Sequence, residues 1–281
     1  MNSNFAVDHS LSRLPPNPVG SFFLIFLFQT SRDRLGEPLR TVEALGTPAE
    51  RVTRFRWHAS GQMSHLILEN PATGEQVTEW VFGTTLAASG VARNDLVSGK
   101  VWPTGESESL DYNRQGNVIQ RTDPNGSVRA FGYDQLGQLT DDAATTVADG
   151  VDGTMRRVAT TYNNQGLQET VTTYDAASGG TAINQVKFEY DAFHLVIADR
   201  QEHDGIVDGS TPSVTYGYTD GTGNVLRRTS ITAPGGKQVD YSYGTTGGLD
   251  DVFNRVSSLK VNGEGANLVD SQLKAQPIIA P

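Results

Sequence analysis

The feature that most limits what this chain can fold into is a short phrase written repeatedly: an aromatic residue, Asp or Asn, two further residues, a glycine, and soon an apolar residue. Tyr112-Asn113-Arg114-Gln115-Gly116-Asn117-Val118 is followed by Tyr133-Asp134-Gln135-Leu136-Gly137-Gln138-Leu139 and by Tyr162-Asn163-Asn164-Gln165-Gly166-Leu167. Looser copies open at Arg32, Trp57, Phe82, Tyr190, Tyr218 and Tyr243, with Gly61 in the glycine place of the Trp57 copy. The Tyr190-Asp191 copy carries His194 where glycine is expected. Successive openings lie 25, 25, 30, 21, 29, 28, 28 and 25 residues apart. Such a period means one supersecondary unit built again and again, each supplying part of its neighbour's core.

The residues ahead of each aromatic alternate. Val186, Phe188 and Tyr190 fall on one face, with Lys187, Glu189 and Asp191 on the other; Val214, Tyr216 and Tyr218 repeat this, as do Val239, Tyr241 and Tyr243. Period two with β-branched and aromatic residues predicts half-buried strands. The Asp or Asn that follows can accept a hydrogen bond from the backbone two residues on. The glycine supplies a positive φ, and together they reverse the chain. A second set of turns lies between copies: Asp123-Pro124-Asn125-Gly126, Asn70-Pro71-Ala72-Thr73-Gly74 and Ala233-Pro234-Gly235-Gly236. Residues 32–261 are therefore expected to be a string of antiparallel hairpins in an all-β sheet. Longer links at 141–153, 174–182 and 201–213 are expected to be surface loops. Residues 1–31 form an atypical apolar or disordered N-terminus in this reading, and 262–281 a C-terminal tail.

Composition narrows the function. Thirty glycines in 281 residues, with 37% hydrophobic residues, fit a turn-rich β protein. A net charge of −10 repels phosphate backbones, so nucleic acid is not an expected partner. The chain has no cysteine, which removes disulfides and thiolate zinc sites. The apolar run Ser21–Phe28 is too short for a transmembrane span, which takes about 20 residues. As a signal-peptide core it has poor flanks, with few basic residues ahead and no small-residue cleavage site behind.

In its aromatic–Asp/Asn–x–x–Gly–x–apolar phrase the chain resembles the YD repeats of RHS-type and teneurin-like proteins. Tyr112, Asn113, Gly116, Val118, Tyr133, Asp134, Gly137, Leu139, Tyr162, Asn163 and Gly166 carry the resemblance. It implies a sheet that curves and spirals into a hollow shell, here a partial one. In bacteria such shells enclose a toxin, and in animals they belong to cell-surface adhesion proteins. The resemblance thus implies a non-enzymatic scaffold, extracellular or at a cell surface. Its partner would be the rest of a longer YD-repeat chain or an enclosed polypeptide. The alternative is a cell-surface module that recognises glycans or proteins through its inter-repeat loops. The R-Y-Y-D-P-x-x-G-like core string that bacterial shells associate with self-cleavage does not occur in this sequence, and no toxin domain is expected within it. A fragment of the repeat region is therefore expected.

Chemistry finds little footing. The five histidines, His9, His58, His65, His194 and His203, show no metal-binding spacing and are expected in surface or turn roles. Asp149-Gly150-Val151-Asp152-Gly153 and Asp204–Gly209 lack the ligand spacing of a calcium loop. Asp141-Asp142 and Asp250-Asp251 would point to opposite faces of a strand. Gly221-Thr222-Gly223 lacks the third glycine of a dinucleotide loop. No catalytic residue, cofactor or metal is expected. The tyrosines are read as packing between units, with stacking on sugars as the competing use.

Overall fold

The computed structural model describes residues 7–8, 28–69, 72–219, 226–262 and 267–270. Most of the apolar run at 21–28, His9 and Gly221-Thr222-Gly223 lie outside the described residues. The chain divides into two compact units. The first takes residues 1–137 with 144–151, and the second takes 138–143 with 152–281.

In the first unit the strands are β1 (Val7–Asp8), β2 (Phe28–Arg32), β3 (Pro38–Glu43), β4 (Arg51–Trp57), β5 (Met63–Glu69), β6 (Gln76–Thr85), β7 (Ala92–Val101), β8 (Ser107–Tyr112), β9 (Val118–Thr122) and β10 (Val128–Tyr133). Each pairs antiparallel with its successor in sequence. Ladder pairing therefore begins ahead of residue 32, with Val7 opposite Ser31.

The second unit repeats the plan. Its strands are β11 (Leu139–Thr146, through Ala143), β12 (Arg157–Tyr162), β13 (Gln168–Tyr174), β14 (Ala182–Tyr190), β15 (Val196–Glu202), β16 (Ser213–Tyr218), β17 (Arg228–Thr232), β18 (Gln238–Ser242), β19 (Ser258–Val261) and β20 (Asn267–Asp270). Again each pairs antiparallel with the next. One helical turn, α1 (Leu249–Val252), interrupts the plan between β18 and β19.

Hairpin neighbours do most of the covering. Val42 and Ile67 are buried in the first unit, and Ala198 and Val261 in the second. Few other large side chains are fully buried among the described residues. Every residue of β14 is half-buried, so the alternation of Val186, Phe188 and Tyr190 with Lys187 and Glu189 does not become an alternation of buried and exposed.

Three sequence expectations change. Phe82 does not open a turn: β6 runs on through Thr84-Thr85, and the chain reverses at 86–91 around the buried Leu86. Gly83, at φ +98°, sits in a bulge where the β6–β7 register shifts. The β-branched threonines beyond it favour extension over a turn. The link expected at 141–153 shrinks to 147–156, because Asp141–Ala143 pair with Arg157–Ala159. Asp250 and Asp251 lie in the helical turn α1 rather than on a strand. Gly244, Gly247 and Gly248 break the strand pattern ahead of α1.

Candidate functional site

The recurring phrase builds one turn geometry. In the Tyr112 copy the Asn113 N–H donates to the Asn117 carbonyl at 2.9 Å, and the Gly116 N–H donates to the Asn113 carbonyl at 3.0 Å. That is a three-residue hairpin loop, a type I turn closed by a left-handed glycine in a bulge. Gly116 has φ +87°. The Asn113 Oδ1 then accepts the N–H groups of Gln115 and Asn117, both at 2.9 Å. Asn163 does the same for Gln165 and Leu167, and Asp191 for Phe193 and Leu195. Asp33 does so for Leu35 and Glu37, and Asp134 accepts from Leu136. Asp and Asn recur because an oxygen two bonds beyond Cβ reaches both amides. His194 takes the glycine place at φ +65°. The ladder register shifts at the opening residue itself, between Asp111 and Tyr112, Thr161 and Tyr162, and Glu189 and Tyr190.

The aromatics make a second, longer-range set of bonds. Tyr112 Oη donates to the Val97 carbonyl at 2.6 Å, Tyr133 Oη to Val118 at 2.7 Å and Tyr162 Oη to Leu139 at 3.0 Å. Tyr190 Oη donates to Gln168 at 2.7 Å, and Tyr218 and Tyr243 donate to Val196 and Arg228 at 3.0 Å each. Trp57 Nε1 donates to the Pro38 carbonyl at 2.8 Å. Apart from Val97, every acceptor is the first residue of the return strand of the preceding copy. Each opening aromatic thus reaches back and ties its hairpin to the one before. Phe82 has no hydroxyl; its ring stacks on His58, the turn residue of the preceding copy, with centroids 4.4 Å apart.

These contacts show where the polar ends of the opening tyrosines go. Their hydroxyls are spent on backbone carbonyls, and Tyr112 is only 7% exposed. Burial pushes the Tyr112, Tyr190 and Tyr243 phenols up from their ordinary range. The predicted positions Trp57, Gly61, Tyr112, Gly116, Tyr133, Asp134, Gly137, Tyr162, Gly166, Tyr190, Asp191, Tyr218 and Tyr243 belong to this framework of turns and ties, and Phe82 joins it through its stack. The missed turn is Trp102-Pro103-Thr104-Gly105, whose Gly105 N–H donates to the Trp102 carbonyl at 2.9 Å. Its Pro-x-Gly was the available signal.

One cluster of titratable groups surrounds Arg228. Its guanidinium lies 4.7 Å from the Tyr216 ring and 3.3 Å from Tyr218 Oη. Tyr216 Oη donates to the Asp199 carboxylate, and that bond, with burial second, holds the phenol pushed up to about 12. These side chains hydrogen-bond one another across the adjacent strands β15, β16 and β17. His65 lies 3.8 Å from Glu79, and His194 and His203 are in a turn and a loop. No cluster of three metal-ligating side chains occurs among the described residues. No helix among them is long and apolar enough to cross a membrane. Asp152 caps its own turn by accepting the Thr154 N–H. The link after β15 is ordered by Thr211, whose hydroxyl donates to Glu202 at 2.7 Å, and by the Val207 N–H, which donates to Gln185 Oε1 at 2.9 Å.

Residues 112–152 match the family model described as RHS Repeat. This segment is an RHS repeat. It holds two complete copies of the phrase, opened by Tyr112 and Tyr133, with the Asp123–Gly126 turn between them. The same turns and ties recur in hairpins outside the RHS match. No curated protein matches the sequence. Among solved structures, a crystal structure of TcdB2-TccC3 without its hypervariable C-terminal region aligns at 13% identity and TM-score 0.30, covering 85% of this chain and 15% of its own. A further TcdB2-TccC3 crystal structure aligns at 14% identity and TM-score 0.30, covering 83% of this chain and 15% of its own. A Photorhabdus luminescens Tc holotoxin pore aligns at 11% identity and TM-score 0.29, over 84% of this chain and 18% of its own. The chain spans less than a fifth of the length of these structures.

Proposed function

We propose that the chain is a non-enzymatic structural scaffold, a segment of an RHS-type YD-repeat shell that encloses or presents another polypeptide. The observation that carries this reading is the tie between consecutive hairpins. The residues that define the repeat spend their polar atoms on a neighbouring hairpin's backbone or on their own turn. A curved sheet extended by adding hairpins is what such a device is suited to build. The toxin-delivery or cell-surface setting, and an extracellular location, follow from the resemblance to YD-repeat proteins.

The test is recovery of the protein from its native source with an antibody raised against residues 28–270. The scaffold reading expects it joined to, or bound around, another polypeptide that resists protease until the sheet is unfolded. A companion-free species of 30.3 kDa would overturn it.

A further inference from the structure

The turn between the Tyr112 and Tyr133 copies, Asp123-Pro124-Asn125-Gly126, places an exposed asparagine ahead of a glycine. Asn125 Oδ1 accepts the Ser127 N–H at 2.9 Å. An oxygen held by the N–H two residues on lays its carboxamide carbon over the peptide nitrogen between them, here that of Gly126. Ser127 is itself fixed: its hydroxyl accepts the Ala148 N–H at 3.1 Å, and its carbonyl accepts the Asp123 N–H at 2.8 Å. Gly126 sits at φ +85°, and beyond its chain neighbours no atom comes within 4 Å of where a Cβ would stand, so that side of the turn is open. One bond opposes attack by the Gly126 nitrogen, whose N–H donates to the Asp123 carbonyl at 2.9 Å. That bond must open first, and the Asp123–Ser127 bond holds the turn while it does.

We propose that Asn125 is a site of spontaneous deamidation built into the folded turn. The Gly126 nitrogen gives its proton to solvent base and attacks Asn125 Cγ. The charge that develops on Oδ1 meets the Ser127 N–H, already placed to receive it. The Cγ–Nδ2 bond breaks and ammonia leaves, closing a five-membered imide. Water then opens the imide at either carbonyl and gives an aspartyl or an isoaspartyl link. One water is consumed, one ammonia is released and nothing is oxidised. Other turns set the contrast. Asp152 and Asp208 also precede glycine and accept the N–H two residues on, from Thr154 at 2.9 Å and Ser210 at 2.7 Å. The Thr154 N–H and the Ser210 hydroxyl hold these carboxyls below their usual range, and a carboxylate has no ammonia to lose. Asn113 and Asn163 make the same contact, but the attacking nitrogens belong to Arg114 and Asn164, whose side chains crowd the approach. In the other Asn-Gly pair, Asn262-Gly263, the glycine lies outside the described residues. An isoaspartyl link adds a methylene to the backbone between Asp123 and Ser127 and so disrupts the bonds that close the β9–β10 turn. The change falls inside the segment that matches the RHS model and does not depend on the scaffold reading.

The test ages the whole purified chain at mildly alkaline pH, once folded and once in urea. Its peptides are then mapped by mass and by chromatography that separates isoaspartyl from aspartyl forms. Conversion at Asn125 in the folded chain, ahead of Asn113 and Asn163, is expected. Gly126→Ala should slow it by about tenfold or more, because the added methyl crowds the attacking nitrogen. Asn125→Gln would have to close a six-membered ring and should show no such product. Amide exchange in the aged chain should quicken in β9 and β10. Conversion only in urea would mean that the bond from Gly126 to Asp123 locks the site, and would overturn the proposal. Equal rates at Asn125, Asn113 and Asn163 in the folded chain would overturn it as well.

Discussion

Tyr133 Oη donates a hydrogen bond to the carbonyl of Val118, 2.7 Å away and fifteen residues back in the chain. Val118 is where β9 leaves the Tyr112 turn, and Tyr133 is where β10 ends, so one phenol joins two consecutive turns. The relation recurs through the chain with Leu139, Gln168, Val196 and Arg228 as acceptors.

Tyr112 is the most buried of these aromatics and separates ring from hydroxyl. Tyr112→Phe removes only the bond to Val97 and should lower stability by about 1 kcal/mol. Tyr112→Ala also removes the packed ring and should cost about 3–5 kcal/mol. Urea denaturation midpoints measure both. Equal losses would mean that the ring contributes nothing beyond its hydroxyl.

His194 holds a left-handed backbone that glycine holds in the matching turns. Strain there is of the order of 1–2 kcal/mol for a residue with a Cβ. His194→Gly should therefore raise the thermal midpoint. Gly116→Ala should lower it by a similar amount, and through the backbone alone, because an added Cβ would have no atom within 4 Å. A melting curve of each variant checks the pair of opposite signs.

Asn163 Oδ1 accepts two backbone amides across one turn. Asn163→Ala leaves both without that partner and should cost about 1–2 kcal/mol, whereas Asn163→Asp should hold the turn. Chemical denaturation distinguishes the two variants. An alanine variant as stable as the parent would show that the glycine alone makes the turn.

Alkaline pH should weaken the fold. The Tyr216 phenol is held at about 12 by its bond to Asp199 and by burial, against about 10 in an unfolded chain. A pKa raised by folding gives stability that is complete below pH about 10 and is lost as pH climbs towards 12. Tyr112, Tyr190 and Tyr243, also pushed up by burial, act in the same direction. Urea midpoints at pH 8, 10 and 11.5 should fall, and Tyr216→Phe should make the fall shallower. An unchanged midpoint across this range would contradict the assignment.

The hairpins and their turns were legible because each rests on local chemistry: alternation, an Asp or Asn oxygen, and a glycine. The use of the tyrosines was only half legible. Sequence could place their rings on a shared face, but the acceptor of Tyr133 is a backbone carbonyl, and a carbonyl leaves no mark in a sequence. Phe82 read as a turn opener because Gly83 follows it, yet strand pairing outweighed that glycine. Asp250 and Asp251 were read on a strand, although Gly244, Gly247 and Gly248 ahead of them end the strand pattern and the chain coils into α1. Trp102-Pro103-Thr104-Gly105 closes the same loop with no Asp or Asn, so a search centred on the aromatic phrase passes over it.

The most direct test of the account is site-resolved amide hydrogen exchange on the parent chain and on Tyr133→Phe under the same conditions. The account predicts faster exchange concentrated in the Tyr112 turn, β9 and β10, with β14 and β15 little changed. Superimposable profiles, or a loss of protection spread evenly over the chain, would contradict the claim that each aromatic ties its own hairpin to the one before.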